Sequence, residues 1–181
     1  MSCPVEEFRP PTTGRAAGSG TVRSASGRQT HPGPPYVAAE RVAALHTAIS
    51  ADSERAILVA HSAGGLTVAI WASQHVGPVR AALLVTPPYL DPDWIPDPHE
   101  AGDVLAGHVP REPLPFRSIL VASRNDPSAT LEQFEAYARD WGSELFDAGA
   151  VGHLDSKTGF GAWPEGLDLL RSLATEARRE A

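Results

Sequence analysis

Apolar residues fall at Ala38, Val42, Leu45 and Ile49, which predicts one buried face of a helix. The run Ala56-Ile57-Leu58-Val59-Ala60 is short and unbroken, the pattern of a strand covered on both faces. Ala63 to Val76 reads as a helix, Ala81–Val85 as a second buried strand, and Ser118-Ile119-Leu120-Val121-Ala122 as a third. Leu131, Phe134, Ala138 and Trp141 share one side of a helix spanning Ala129–Trp141. Glu144-Leu145-Phe146 supplies a fourth strand, and Pro164 sits in the first turn of a closing helix through Leu173. Buried strands alternating with amphipathic helices predict a three-layer α/β domain with a predominantly parallel sheet. No internal repeat interrupts the pattern.

Two stretches fall outside it. Of the 17 prolines, six lie in Met1–Pro35 and eight in Pro87–Pro115. Met1–Pro35 has no Leu and no Ile, being built from Pro, Gly, Ser, Thr and Arg. That composition buries too little apolar area to offset the entropy of ordering, so residues 1–35 are read as a low-complexity, disordered segment. Residues 36–181 are read as the folded domain. Pro87–Pro115 cannot form a long helix and is read as an extended connection over one end of the sheet. Tyr89, Trp94 and Ile95 either wall a substrate pocket there or pin a surface loop to the body. The sequence favours neither.

A chain of 181 residues suits one compact domain, and 42% hydrophobic with 20% charged residues supports a packed core. The net charge of −7 has the wrong sign for a duplex-binding surface, so no nucleic-acid partner is expected. No apolar run approaches the roughly 20 residues of a membrane span, and none follows Met1 as a secretory signal would require. A cytoplasmic location is therefore expected. A single cysteine, Cys3, excludes an intrachain disulfide and a thiolate-rich metal site.

The strongest chemical signal is Ala60-His61-Ser62-Ala63-Gly64-Gly65, set between a strand and a helix. A serine on so sharp a turn needs small neighbours two residues to either side. This is the physical content of the G-x-S-x-G nucleophile elbow, with Ala60 in place of the first glycine. Such a turn exposes the Ser62 hydroxyl and aims the Ala63 N–H at a developing oxyanion. The plain alternative is that Ser62 merely caps the helix. His61, beside it, is read as a packed structural histidine.

A serine nucleophile needs a base, and the base needs an orienting acid. Asp126 follows the strand Ser118–Ala122, and His153 follows the strand around Phe146. Parallel strands gather their carboxyl ends along one edge, where open α/β folds hold ligands. The order Ser62, Asp126, His153 thus brings nucleophile, acid and base together. Asp147 and Asp155 are the fallback acids. His46 and His75 lie in helices, while His99 and His108 lack metal-ligand spacing. Asp91, Asp93, Asp97, Glu100 and Asp103 lack the glycine and terminal glutamate of an EF-hand and read as a solvated acidic face.

The segments Leu58–Gly64, Ala122–Pro127 and Gly152-His153-Leu154 through Trp163-Pro164-Glu165-Gly166 together resemble the small retinoblastoma-binding-protein-9-like serine hydrolases of the α/β-hydrolase superfamily. The resemblance covers about Val37 to Leu173, and its Trp-Pro-Glu-Gly segment is the most specific part. It implies a cofactor-free, metal-free hydrolase of small-molecule esters or amides, with Ser62, Asp126 and His153 as triad. Family members begin with an apolar strand and a glycine-containing oxyanion loop, and Met1–Pro35 shows neither. A second reading therefore stands beside the first: an impaired hydrolase relative that acts as a binding module.

Overall fold

The structure is a computed structural model and describes residues 37–51, 53–91 and 109–176. The expectations for 1–35, and for Trp94, Ile95 and the acidic positions 93–103, lie outside the described residues. Four strands, β1 (Ala56–His61), β2 (Val79–Val85), β3 (Arg117–Ala122) and β4 (Glu144–Asp147), form a parallel sheet in the order β1-β2-β3-β4. Helices α1 (Ala38–Ile49), α2 (Ala63–Gln74), α3 (Leu131–Trp141) and α4 (Pro164–Glu176) complete a three-layer α/β domain. Among the described residues, no helix is long and apolar enough to cross a membrane.

Side chains alternate across a strand, and this divides the core. Leu58, Ala60, Ala82, Leu84, Leu120 and Ala122 face α2 and α3, meeting Leu66, Val68, Phe134, Tyr137 and Trp141. Ile57, Ala81, Leu83, Val85, Ile119 and Val121 belong to the other face, where Leu169 and Leu173 of α4 cover them. Helix α1 packs Val42 and Ile49 beside Trp71 of α2. Gly77 permits that approach, since a Cβ there would lie 2.9 Å from the Ile49 Cγ2.

The expected helices lie where the apolar spacing put them, with small differences at the ends. Helix α2 stops at Gln74 rather than Val76: His75 is extended and Val76 is 97% exposed. Helix α3 starts at Leu131 rather than Ala129 because Thr130 and Gln133 form a capping box. Gly142 closes α3 in the left-handed conformation, at φ 65°.

Helix α3 also holds both flanks of the proline-rich connection. The Tyr137 hydroxyl donates to Pro88 O at 3.3 Å and accepts from the Leu90 N–H at 3.0 Å. Burial pushes this phenol above its ordinary pKa, which keeps it a neutral donor. Trp141 Nε1 donates to Pro110 O at 2.8 Å, and Arg111 pairs with Asp140 at 2.9 Å while lying over the Tyr137 ring. Tyr89 tilts against Tyr137.

Loss of the Thr130 cap leaves a first-turn N–H without its side-chain acceptor. Thr130→Ala should lower stability by about 1 kcal/mol, seen as a lower urea midpoint with an unchanged m-value.

Candidate active site

Strand β1 runs directly into α2 through one residue, Ser62, whose backbone sits at φ 55° and ψ −131°. Positive φ is uncommon for a residue with a Cβ and is held only where the surroundings over-determine it. Here the Ser62 N–H donates to Val85 O at 2.9 Å, and Ser62 O accepts from the Gly65 N–H at 2.9 Å. Small neighbours make the turn possible. A Cβ on Gly64 would meet the Ala60 Cβ at 3.5 Å, an ordinary contact, so alanine in the first glycine position fits while Gly64 is retained.

Ser62 is the N-cap residue of α2, but its side chain caps nothing. The hydroxyl instead lies 2.9 Å from His153 Nε2. His153 Nδ1 lies 2.8 Å from Asp126 Oδ2, and Asp126 Oδ1 accepts from the Ser128 N–H at 2.7 Å. The Asp126 side chain is fully buried, and that of His153 is 15% exposed. A carboxylate oxygen can only accept, so Nδ1 carries the ring proton and Nε2 is left to accept from Ser62. The structure therefore brings Ser62, His153 and Asp126 into one hydrogen-bonded line.

The loops after β3 and β4 are laced together by polar side chains. Asn125 Oδ1 accepts from the Gly152 N–H at 2.7 Å, and Ser123 Oγ accepts from the Val151 N–H at 3.2 Å. The Arg124 N–H donates to Gly149 O at 2.8 Å. Asp147, a fallback acid, points elsewhere: Arg124 pairs with it at 2.7 Å and the Gly149 N–H donates to it at 2.8 Å.

The other histidines divide. His46 and His75 stack with ring centroids 4.2 Å apart, and His46 Nδ1 accepts from Trp71 Nε1 at 3.4 Å. They belong to the α1–α2 packing. His99 and His108 lie outside the described residues. His61 differs from expectation, being exposed rather than packed, with its Nε2 2.7 Å from the His153 backbone oxygen. A histidine beside the serine was visible in the sequence, but the turn that brings its ring to His153 was not. A cavity of about 290 Å³ opens at the β4 edge, lined by Phe146, Val151, Phe160, Trp163 and Glu165 among others. Among the described residues, no three His, Cys, Asp or Glu side chains gather as metal ligands.

Residues 29–172 match the family described as serine hydrolase. The chain belongs to the serine hydrolase family. Among solved structures, this serine hydrolase is similar to a YdeN-like hydrolase from Pectobacterium atrosepticum. The two are 26% identical with a TM-score of 0.65, over 77% of this chain and 70% of that one. It shares its fold with the ydeN gene product of B. subtilis at 17% identity and TM-score 0.58, covering 74% of this chain and 73% of that chain. The fold also recurs in a monoacylglycerol lipase from Paleococcus ferrophilus, 13% identical at TM-score 0.55 over 80% and 76% of the two chains. No curated protein matches.

In this serine hydrolase the Arg124 hydrogen bond, seconded by the Gly149 N–H, holds the Asp147 carboxyl below the usual carboxylate range. Its contribution to stability is thus present above the unfolded-state pKa and is lost as pH falls through the lower folded value. Arg124→Gln should move the Asp147 midpoint upward, toward the ordinary carboxylate range, as followed by carboxyl NMR titration. A midpoint unmoved by that change would show that the guanidinium does not set it.

Proposed function

We propose that this serine hydrolase transfers acyl groups from small-molecule esters or amides, with Ser62 as nucleophile, His153 as base and Asp126 as orienting acid. The observation that carries the reading is the unbroken line of hydrogen bonds from Ser62 Oγ through His153 to buried Asp126. His153 Nε2 takes the hydroxyl proton as Oγ attacks the acyl carbonyl carbon. The oxyanion so formed is received by the Ala63 N–H, the first peptide of α2, as half of the oxyanion hole. The tetrahedral adduct collapses, its bond to the leaving group breaks, and His153 returns the proton to that alcohol or amine. Water then attacks the acyl-serine by the same proton route, releasing the acid and restoring Ser62. Asp126 holds the imidazole in the Nδ1–H tautomer and stabilises the imidazolium.

No cofactor enters this sequence of steps. Residues 36–181 form the hydrolase domain in this reading, and the acidic charge with a lone cysteine suits a cytoplasmic setting. One observation favours the binding-module alternative. Among the described residues β1 pairs with β2 alone, and Val59 on it is 60% exposed, so the strand bearing Ser62 is bare on one flank.

A fluorophosphonate probe should label wild type and leave Ser62→Ala unlabelled. Ser62→Ala and His153→Ala should each lower kcat on a p-nitrophenyl ester by about 10⁴-fold or more. Asp126→Asn should cost about 10⁴-fold, because an amide facing Nδ1 favours the wrong tautomer. Equal labelling of Ser62→Ala would overturn the assignment, and labelling without turnover would select the binding module.

A further inference from the structure

His153 rides on a turn-rich segment, residues 148–155, in which Gly149, Gly152 and Leu154 all have positive φ. Its ties to the β3 side are the Ala148 N–H to Ala122 O at 2.9 Å, the Arg124 N–H to Gly149 O, and the bonds from Val151 and Gly152 to Ser123 and Asn125. Every one of them ends on β3 or on the loop that carries Asp126. They set the separation of His153 from Asp126. The separation of His153 from Ser62 has to be set from the β1 side, two strands away.

Two side chains reach across, His61 from the end of β1 and Thr86 from the end of β2, and both end on the same atom. His61 Nε2 lies 2.7 Å from the His153 backbone oxygen, and Thr86 Oγ1 donates to that oxygen at 3.4 Å. A carbonyl only accepts, so His61 Nε2 carries the proton. The two imidazole rings sit 4.8 Å apart, tilted by 53°. Thr86 is fully buried and held at φ 42°, an unusual backbone for a β-branched residue, with its N–H on Val121 O. His61 is exposed, so burial of its ring does not account for its orientation.

We propose that His61 is a positioning residue, whose Nε2–H grips the His153 carbonyl and so sets the reach of His153 Nε2 to Ser62 Oγ. The inference rests on the reading of Ser62 as nucleophile and His153 as base. Its chemistry is geometric. His61 contacts the base through a backbone carbonyl, and a displacement of about 1 Å between reacting groups costs about 10²-fold in rate. Because His61 immediately precedes Ser62, the same turn that exposes the nucleophile also fixes the anchor for its base.

The test uses the full chain with a p-nitrophenyl ester, a fluorophosphonate probe and three variants. His61→Ala should lower kcat and labelling rate by about 10–100-fold with little change in KM. His61→Gln, whose amide N–H falls near the position of Nε2, should recover most of that loss. His61→Phe keeps a ring but no donor and should stay as slow as His61→Ala. The downfield proton signal of the His153–Asp126 hydrogen bond, identified by its loss in His153→Ala, should broaden in His61→Ala and stay sharp in His61→Gln. Phenylalanine matching glutamine would overturn the proposal in favour of ring packing, and that comparison holds even if His61→Ala fails to fold. Wild-type rates in all three variants, with labelling still dependent on Ser62, would remove His61 alone. Labelling that survives Ser62→Ala would instead remove the reading beneath it.

Discussion

Everything around the site is arranged about one strained turn, Ser62 at φ 55° between a strand and a helix. A residue with a side chain stays in that region only if both flanks hold it there. On one side the β1–β2 ladder continues a residue beyond His61, through the Ser62 N–H to Val85 O. On the other, α2 begins at once and returns over the sheet, burying Leu66, Val68 and Trp71. The return is close: a Cβ on Gly65 would stand 3.0 Å from the Pro87 side chain. The cost of the turn is therefore offset by the packing of α2, and the hydroxyl is left facing His153 instead of capping its own helix.

The second constraint is parallelism. Register pairs His61 with Val85 and Ala122 with Asp147, so β1, β2, β3 and β4 all end near one edge. The loops that leave this edge set apolar side chains on the core, Tyr89 and Leu90 after β2 and Ala148 and Leu154 after β4. Polar bonds join them to one another, Ser123 and Asn125 receiving backbone N–H groups from the loop after β4. Asp126 is buried with both oxygens bonded, which leaves His153 one angle at which to accept from Ser62.

Much of this was legible in the sequence because unbroken apolar runs mark the strands of a covered sheet and the chain has three of them, with Glu144-Leu145-Phe146 adding a shorter, half-exposed fourth. Their alternation with helices implied a parallel sheet, and parallelism brought three distant residues to one edge. Helix ends were less legible: the capping box at Thr130 and Gln133 and the extended His75 are local backbone choices that periodicity does not report. Tyr137 carries a hydroxyl whose partners apolar spacing does not report, yet it is fully buried with that hydroxyl satisfied by Pro88 and Leu90. His61 departs from the strand pattern for a different reason. Neighbouring side chains on a strand point to opposite faces, but the turn at Ser62 places the His61 ring beside a loop 92 residues away in sequence.

The covering of the sheet is uneven, and the unevenness bears on the site. Val59, Leu83 and Ile119 lie in one row across β1, β2 and β3, and their exposures are 60%, 2% and 1%. The α4 side covers the second and third of these positions and leaves Val59 open, although Ile57 earlier on β1 packs against the same cluster. Among the described residues, β1 is thus held by its ladder to β2 and by α1 and α2 on the opposite face. The proposed acid and base sit on the loops after β3 and β4, bound loop to loop, while the proposed nucleophile follows the less enclosed strand. Beyond the β2–β3 ladder, bonds from the ends of β1 and β2 to the His153 carbonyl join these two halves at the site itself. That is why two donors converging on one backbone oxygen carry more weight here than their individual strengths suggest.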